Sequence, residues 1–208
     1  MKRPGRSNVS KTLIAEALLE LLKTVNYEQI CVSDICTLAT VSRNTFYRHF
    51  DSKDAVLLYH LAEKCRYIIR QFELLETYDP LVPTNEDLRR SYTRFYTYWL
   101  NQRPLLELLA RHHLLEYLLP ALMQVITNSY SEQWVESLRG PFSSFPSYYY
   151  NWLASSLYSI LISWIQNGFD LPPEAIAELL VRISSSITEK KAYSMRIPAQ
   201  AYNSQPET

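Results

Sequence analysis

The spacing of apolar residues restricts the fold of this chain more than any other feature. Apolar side chains recur every three to four positions, as in the stripe from Ile14 to Val25 and in a second stripe from Leu58 to Phe72. No stretch shows the sustained alternation of apolar and polar residues that a half-buried strand requires. The chain is therefore predicted to be all-α.

Prolines and capping residues divide this pattern into segments. Ser52, for example, is a suitable N-cap for the helix that carries the second stripe. The tail after Met195 contains Pro198 and Pro206 and is expected to be disordered. The expected elements are a basic arm at 1–8, helices near 9–25, 33–39, 43–49, 53–78, 85–102, 104–118, 120–138, 147–168 and 173–192, and a loop at 79–84. They group into an N-terminal domain at 1–52, a C-terminal helical domain at 53–195 and a tail at 196–208.

Composition excludes several classes of protein. With three glycines in 208 residues, the chain has no P-loop and no G-x-G-x-x-G motif for phosphate. The three cysteines have no C-x-x-C spacing, which argues against a disulfide framework or a zinc site and fits a reducing cytoplasm. Up to Cys65 there are nine Lys and Arg against seven Asp and Glu. This slight positive excess favours an anionic partner at the N-terminal end.

One uncharged stretch, Gly140–Phe169, raises the question of a membrane segment. Its length would be sufficient, since about 20 apolar residues span a bilayer. Seven Ser, Asn and Gln residues between positions 151 and 167 argue against spanning, and a buried interface helix explains the pattern better. The basic N-terminus is not followed directly by an apolar signal-peptide segment. A cytoplasmic protein without a membrane partner is therefore expected.

The segment after Ile30 has the pattern of two short helices joined by a tight turn. Ser33 can cap the first helix, in which Ile35 and Leu38 are expected to face inward. The turn ends at Ser42, which can cap the next helix. Two short helices with such a turn are the helix-turn-helix unit, whose second helix enters the major groove of DNA.

The second helix of this unit carries side chains suited to DNA. Phe46 and Phe50 are four residues apart and are expected to anchor the helix to the core. Arginine pairs with guanine and asparagine with adenine through two hydrogen bonds, and a tyrosine can reach phosphate or a thymine methyl. His49 and Lys53 are placed to meet backbone phosphates. The residues expected on the outward face are Arg43, Asn44, Tyr47 and Arg48.

At these positions the chain resembles the tetracycline-repressor (TetR) family of bacterial regulators. The matching run is Val41–Phe50, preceded by Val32–Ile35 and followed by Ser52–Asp54. The resemblance implies a two-domain, all-α homodimer. Its first three helices bind double-stranded DNA, and its fourth helix links them to a domain for dimerisation and ligand binding. The implied DNA contacts are a minor-groove arm of Arg3 and Arg6, together with Ser33, Ser42, Arg43, Asn44, Thr45, Tyr47, Arg48, His49 and Lys53.

Two positions depart from the pattern of the family. Thr40 stands in the turn where glycine is common, which implies slight strain, and Cys36 replaces a small alanine in the first helix of the pair. We interpret Cys36 as a small buried apolar residue, with a redox role as the alternative. Neither departure breaks the helix-turn-helix pattern.

Two long apolar helices near the C-terminus are expected to form a dimer interface. Doubled by a twofold axis, they would make a four-helix bundle. Gly168 is expected to end the first of them, and Ser163–Phe169 is similar to the pattern of one TetR subgroup. The expected interface residues are Trp152, Ser156, Ile160, Trp164, Leu179 and Ile183.

The C-terminal domain also carries most of the aromatic residues, which allows a ligand pocket between the middle helices. Ordinary core packing is the alternative for each of them. His112 and His113 are not expected to bind a metal together, because adjacent helical positions point about 100° apart. No cofactor is expected. The candidate ligand-binding residues are Phe95, Tyr98, Trp99, Tyr117 and Trp134.

These patterns predict a sequence-specific transcriptional regulator that binds a near-palindromic operator as a homodimer. Repression relieved by a small-molecule effector is preferred, because most TetR-like proteins repress, and activation is left open. A second hypothesis is an all-helical interaction protein that has lost operator binding. An enzyme comes third, because no G-x-S-x-G motif, H-E-x-x-H motif or recognisable carboxylate pair is present.

Overall fold

The computed structural model describes residues 6–73, 84–129 and 146–189. It is helical and has no β-strand in these ranges, which confirms the predicted fold class. None of the helices described is long and apolar enough to cross a membrane. The α-helices are α1 (Arg6–Leu22), α2 (Val32–Leu38), α3 (Arg43–Tyr47), α4 (Lys53–Glu73), α5 (Asn85–Asn101), α6 (Arg103–Arg111), α7 (Leu118–Ser129), α8 (Pro146–Gln166) and α9 (Pro173–Glu189), with 3₁₀ turns at Tyr27–Gln29 and Leu115–Tyr117.

Helices α1, α2 and α3 form an N-terminal unit around a small apolar core. Ile14 and Leu18 of α1, Ile35 of α2 and Phe46 of α3 are each at most 1% exposed. Phe50, just after α3, is also buried, so both predicted anchors of α3 face the core. Burying a side chain of this size stabilises a protein by about 1.5–3 kcal/mol. These few contacts therefore hold a five-residue helix that would not be stable alone.

The starts of α2, α3 and α4 follow the predicted caps in two cases out of three. Ser42 Oγ accepts a hydrogen bond from the backbone N–H of Thr45 at 3.1 Å, and Ser52 Oγ caps α4 in the same way. The prediction for Ser33 is wrong, because the N-cap of α2 lies two residues earlier. Cys31 is its N-cap residue, and the backbone N–H of Cys31 donates to the Asp34 carboxylate at 2.8 Å.

The inward orientation predicted for Leu38 is also wrong. Leu38 is the last residue of α2 and is 47% exposed. The next residue, Ala39, is buried in its place, because it lies four positions after Ile35 and three after Cys36 and so falls on the buried side of the helix. The cysteine of this helix, Cys36, is buried as predicted.

Three non-glycine residues in the described ranges have a positive φ, and each ends a helix. They are Thr40 (φ 54°), His113 (φ 58°) and Phe169 (φ 63°), the last following Gly168 (φ 70°). After α2, the N–H of Val41 donates to the carbonyl of Cys36 at 3.0 Å. After α6 and α8, the same six-residue closure recurs at 2.8 Å. These bonds are those of the Schellman motif, in which one residue takes the left-handed conformation.

Thr40 is under strain, because a β-branched side chain in the left-handed region crowds the following carbonyl. We expect Thr40→Gly to raise the free energy of unfolding by about 1 kcal/mol, as measured by urea denaturation. Thr37→Gly, inside α2, is the matched control and should lower stability by about 0.5–1 kcal/mol. A loss of stability in Thr40→Gly would show that the threonine side chain contributes more than its backbone strain costs.

The remaining helices pack into a larger C-terminal unit that α4 joins to the N-terminal one. Helix α5 lies against α9, α7 against both α4 and α8, and α1 against α4. Phe95, Tyr96 and Trp99 of α5 are each at most 1% exposed and form the centre of this unit. The Tyr96 hydroxyl donates to the carbonyl of Leu157 in α8 at 3.3 Å. A single continuous helix, α4, therefore belongs to both cores.

One predicted helix is broken in the structure. A single helix was expected over 104–118, but α6 ends at Arg111 with His113 in the left-handed conformation. A 3₁₀ turn follows, and α7 begins at Leu118. Pro120 then lies in the first turn of α7, where its missing N–H is not needed. The break brings the segment His112–Tyr117 to the surface of the N-terminal unit.

Candidate nucleic-acid interface

Helix α3 presents a polar face to solvent. Arg43, Asn44, Tyr47 and Arg48 are all exposed, and Tyr47 retains 55% of its surface. Phe46, on the opposite side, makes edge-to-face contact with Tyr47 at 5.4 Å between ring centroids. Arginine, asparagine and tyrosine on the free side of a short, fixed helix can form hydrogen bonds to base edges and phosphates. The structure therefore brings four of the predicted contact residues together on one surface.

An open groove of about 800 Å³ runs beside this face, between α1 and α3. Ser42 and Thr45 line it with hydroxyl groups that lie 2.9 Å apart. Hydroxyl and guanidinium groups are hydrogen-bond donors suited to a phosphate. The lining residues are Ser10, Thr40, Val41, Ser42, Thr45, Arg48 and His49.

His49 contributes a half-buried imidazole to this groove. Its Nε2 is buried and has no hydrogen-bond partner in the described part of the chain. Burial lowers the pKa of His49, and the charges of Arg48 and Lys11 lower it further. The ring is therefore neutral at physiological pH and can donate one hydrogen bond from the nitrogen that carries its proton.

Lys53 is placed differently from the expectation that it faces phosphate. Its Nζ donates to the carbonyls of Tyr27 at 2.7 Å, Ile30 at 3.2 Å and Glu28 at 3.4 Å. The ammonium group also lies 4.4 Å from the centre of the Tyr27 ring. Because a lysine has three donors, this arrangement occupies all of them inside the N-terminal unit. Lys53 thereby ties the 3₁₀ turn to the start of α4.

The remaining predicted contacts are less defined. Ser33 lies in the first turn of α2, half-buried, and its carbonyl accepts a hydrogen bond from the Thr37 hydroxyl at 2.8 Å. Arg6 begins α1, and only its backbone is described. Arg3 lies outside the described residues.

The structure brings together three of the five predicted ligand-binding residues, since the ring centroid of Trp99 lies 5.5 Å from that of Tyr98 and 6.3 Å from that of Phe95. Phe95 and Trp99 are core residues of α5, which agrees with the alternative of ordinary packing. Tyr98 is half-buried and also stacks on Tyr67 of α4 at 5.3 Å between ring centroids. Tyr117 lies elsewhere, at the N-terminal unit, and Trp134 is outside the described residues.

Tyr98 belongs to a second groove, of about 630 Å³, between α1, α4 and α5. Burial lowers the pKa of His60 in its wall to about 4, and Lys64 adds to the shift. The Nε2 of His60 is buried without a partner in the described ranges. The groove is lined by Thr12, Ala15, Tyr59, His60, Glu63, Lys64, Tyr67, Tyr98, Asn101 and Gln102.

The predicted dimer residues divide into an exposed and a buried group. Trp152 of α8 and Leu179 and Ile183 of α9 are 44–50% exposed. Trp164 is 3% exposed, and its Nε1 donates to the carbonyl of Leu171 at 2.9 Å. It therefore belongs to the core of its own chain and does not present an interface. Ser156 and Ile160 are half-buried.

A cluster that sequence reasoning missed joins the two units. The hydroxyls of Tyr27 and Tyr117 both donate to Oδ1 of Asp54, from Tyr117 at 3.0 Å. His112 Nε2 lies 2.8 Å from the carbonyl of Leu22. These partners are 27 to 90 residues apart, and no local pattern marks them. The described residues contain no cluster of three potential metal ligands.

Comparison with known proteins connects the exposed helix to a family. Residues 14–59 match the model described as bacterial regulatory proteins, tetR family. Residues 86–186 match a model described as a transcriptional regulator C-terminal region. The HTH-type dhaKLM operon transcriptional activator DhaS of Lactococcus lactis subsp. lactis (strain IL1403) is 36% identical over 52 residues. That match covers 25% of this chain and 28% of the length of the relative.

Two solved structures are similar at low identity. The fatty acid degradation regulator FadR from Bacillus halodurans is 17% identical with a TM-score of 0.48, covering 88% of this chain and 96% of that one. FadR from Bacillus subtilis, in complex with stearoyl-CoA, has the same identity and TM-score and covers 83% and 96%. The two matched models fall on the two units of the fold, and the first contains the helix-turn-helix. The chain therefore belongs to the TetR family of bacterial DNA-binding transcriptional regulators.

Proposed function

We propose that the protein binds a near-palindromic operator as a homodimer and represses transcription until a small molecule releases it. The observation that carries the proposal is the outward face of α3. Four residues able to contact DNA lie on a helix whose opposite side is anchored by Phe46 and whose start is capped by Ser42. A helix fixed in this way can enter the major groove without further ordering.

The contacts divide by position. We assign base reading to Arg43, Asn44 and Arg48 on the exposed face, with Tyr47 contacting phosphate or a thymine methyl. The groove beside the face, with its hydroxyls and the neutral His49, would hold a backbone phosphate. Lys53 is given a supporting role, because its donors already bind carbonyls of the N-terminal unit. Ser33, Arg6 and Arg3 are retained as candidate contacts from the family resemblance.

We divide the chain into two functional domains. Residues 1–52 are proposed as the DNA-binding domain and residues 53–195 as the domain for dimerisation and effector binding. The exposed apolar side chains Trp152, Leu179 and Ile183 support a dimer through α8 and α9, as in a four-helix bundle. Tyr148, 72% exposed near the start of α8, extends this surface.

An effector would bind in the groove between α1, α4 and α5. The stacked rings of Tyr67 and Tyr98 offer an aromatic wall, and the amides of Asn101 and Gln102 offer polar contacts. Most of the other lining residues are polar, and Glu63 and Lys64 are charged. A ligand there would touch α1 and α5 together and could shift the N-terminal unit relative to the rest. Activation is the second candidate for the sign of regulation, because the DhaS relative is named as an activator.

Replacing Arg48 by alanine tests the role of α3. We expect binding to the preferred operator, selected from random-sequence DNA, to weaken by about 1–3 kcal/mol, with relaxed preference at one base pair. The exposed Arg94 of α5 provides the matched control, Arg94→Ala, which should leave affinity unchanged. An equal loss of affinity on all DNA sequences would instead identify Arg48 as a phosphate contact. No loss on any sequence would contradict the proposed interface.

A further inference from the structure

The segment between α6 and α7 makes two separate contacts where the two units meet. Its first residue, His112, reaches the carbonyl of Leu22 at the C-terminal end of α1. Its last residue, Tyr117, reaches the carboxylate of Asp54 in the first turn of α4. Because the segment ends α6 and begins α7, any rearrangement of these two helices displaces both contacts.

The Asp54 carboxylate receives one hydroxyl from each unit. Tyr27 donates from the 3₁₀ turn of the N-terminal unit, and Tyr117 donates from the C-terminal unit, both to the same oxygen. Burial raises the pKa of both phenols, and the Asp54 carboxylate raises it further, so both remain protonated donors. Hydrogen bonds to an ionised acceptor are about twice as strong as neutral ones. Asp54 is therefore a shared acceptor between the units.

The His112 contact has a defined polarity. The Leu22 carbonyl can only accept, so the proton must be on Nε2 of His112. The last carbonyls of a helix have no partner within the helix, and an imidazole N–H from another unit satisfies one of them. The ring is half-buried at this point. One contact therefore fixes the end of α1, and the other fixes the start of α4.

We propose that Asp54, Tyr117 and His112 are positioning residues that set the angle of the N-terminal unit to the C-terminal unit. Two separate hydrogen-bonded points restrain a tilt about the start of α4 that one point alone would permit. In a dimer, this angle determines the separation of the two copies of α3. The predicted effect on operator spacing rests on the proposed function, because it requires a dimer that binds DNA. The angle between the two units is a property of one protomer and can be measured without DNA.

The test compares Tyr117→Phe combined with His112→Leu against wild type. Spin labels at Glu16→Cys on α1 and Arg94→Cys on α5 report the distance between the units by double electron–electron resonance. Exposed Cys31 is replaced by serine in all samples, and Cys36 and Cys65 are buried. Labelled protein is diluted with unlabelled protein, so that only distances within one chain are measured. We expect a broader or shifted distance distribution in the double variant.

A conservative variant and a remote one separate positioning from general loss of structure. His112→Gln retains an N–H donor, and Tyr117→Phe with His112→Gln should recover part of the wild-type distribution. Tyr158→Phe, at a half-buried position of α8, should leave the distance distribution unchanged. If the double variant keeps the wild-type distribution at the wild-type melting temperature, the proposal is overturned.

Operator binding provides the second readout. We expect the double variant to bind the preferred operator about tenfold more weakly, which corresponds to about a tenth of the population keeping the angle that fits the operator. It should also discriminate less between that operator and versions with half-sites moved by one or two base pairs. If the double variant keeps the wild-type preference for half-site spacing, these residues do not control the separation of the two α3 helices. If wild type binds no operator, the proposed function fails, and the distance measurement still decides whether these residues position the unit.

Discussion

Phe46→Ala is expected to lower the free energy of unfolding of the N-terminal unit by about 3–5 kcal/mol, because it removes a fully buried ring and leaves a cavity. Phe46 is the main apolar contact of a five-residue helix and lies 6.1 Å from the ring of Phe50. Few neighbouring side chains can move into the space. Urea denaturation followed by circular dichroism measures the loss, and DNA affinity should fall with it.

Tyr47→Ala is the matched control on the same helix. Its ring is 55% exposed, so stability should change by about 0.5 kcal/mol or less, while DNA binding weakens. Comparing Phe46→Ala with Tyr47→Ala separates a loss of folding stability from a loss of DNA contacts. Equal effects of the two substitutions on stability would show that α3 is not anchored as the structure has it.

Leu179→Glu is expected to raise the dimer dissociation constant at least about a hundredfold, because an uncompensated buried charge costs about 3–5 kcal/mol. Leu179 is 46% exposed in the single chain and lies on the proposed dimer surface of α9. A twofold axis places the substitution on both sides of the interface. Sedimentation equilibrium over a concentration series measures the constant.

The control for this substitution is Leu13→Glu, which places the same charge on a leucine of similar exposure on α1. It should leave the dimer intact. Wild-type protein that sediments as a monomer at micromolar concentration would contradict the dimer outright. A Leu179→Glu variant that remains dimeric would move the interface away from α9.

The helix-turn-helix could be predicted from sequence because its determinants are local. The four-residue spacing of Phe46 and Phe50 orients α3 by itself, and Ser42 caps the helix from the position immediately before it. When the inner side of a short helix is fixed, its outer side follows. The exposed arginines and Asn44 are therefore where the pattern indicates.

Contacts between residues that lie far apart in the sequence could not be predicted in this way. Trp164 fits an apolar stripe on α8 but is buried between Tyr96 and Phe169 of its own chain. Lys53 appears free in sequence, yet its carbonyl partners lie 23 to 26 residues earlier. Helical spacing gives the direction of a side chain on its own helix and does not identify the neighbour it meets.

The break between α6 and α7 is a second feature that the sequence pattern did not predict. Leucines continue at helical spacing through His112 and His113, so the pattern predicts one helix. The left-handed conformation of His113 closes α6 instead, and histidine is a less obvious residue than glycine for that position. The aromatic content of the C-terminal domain made Tyr117 a candidate ligand contact, and helical spacing does not indicate its hydrogen bond to Asp54.

Fluorescence anisotropy on DNA flanking the gene of this protein tests the central claim most directly. The purified protein is titrated against that DNA with an excess of scrambled competitor, over a series of salt concentrations. The account predicts binding that resists the competitor, with affinity falling steeply as salt rises because phosphate contacts release counterions. Binding equal to that of scrambled DNA at every salt concentration, here and on fragments selected from random sequence, would contradict it and favour an interaction protein that has kept the fold.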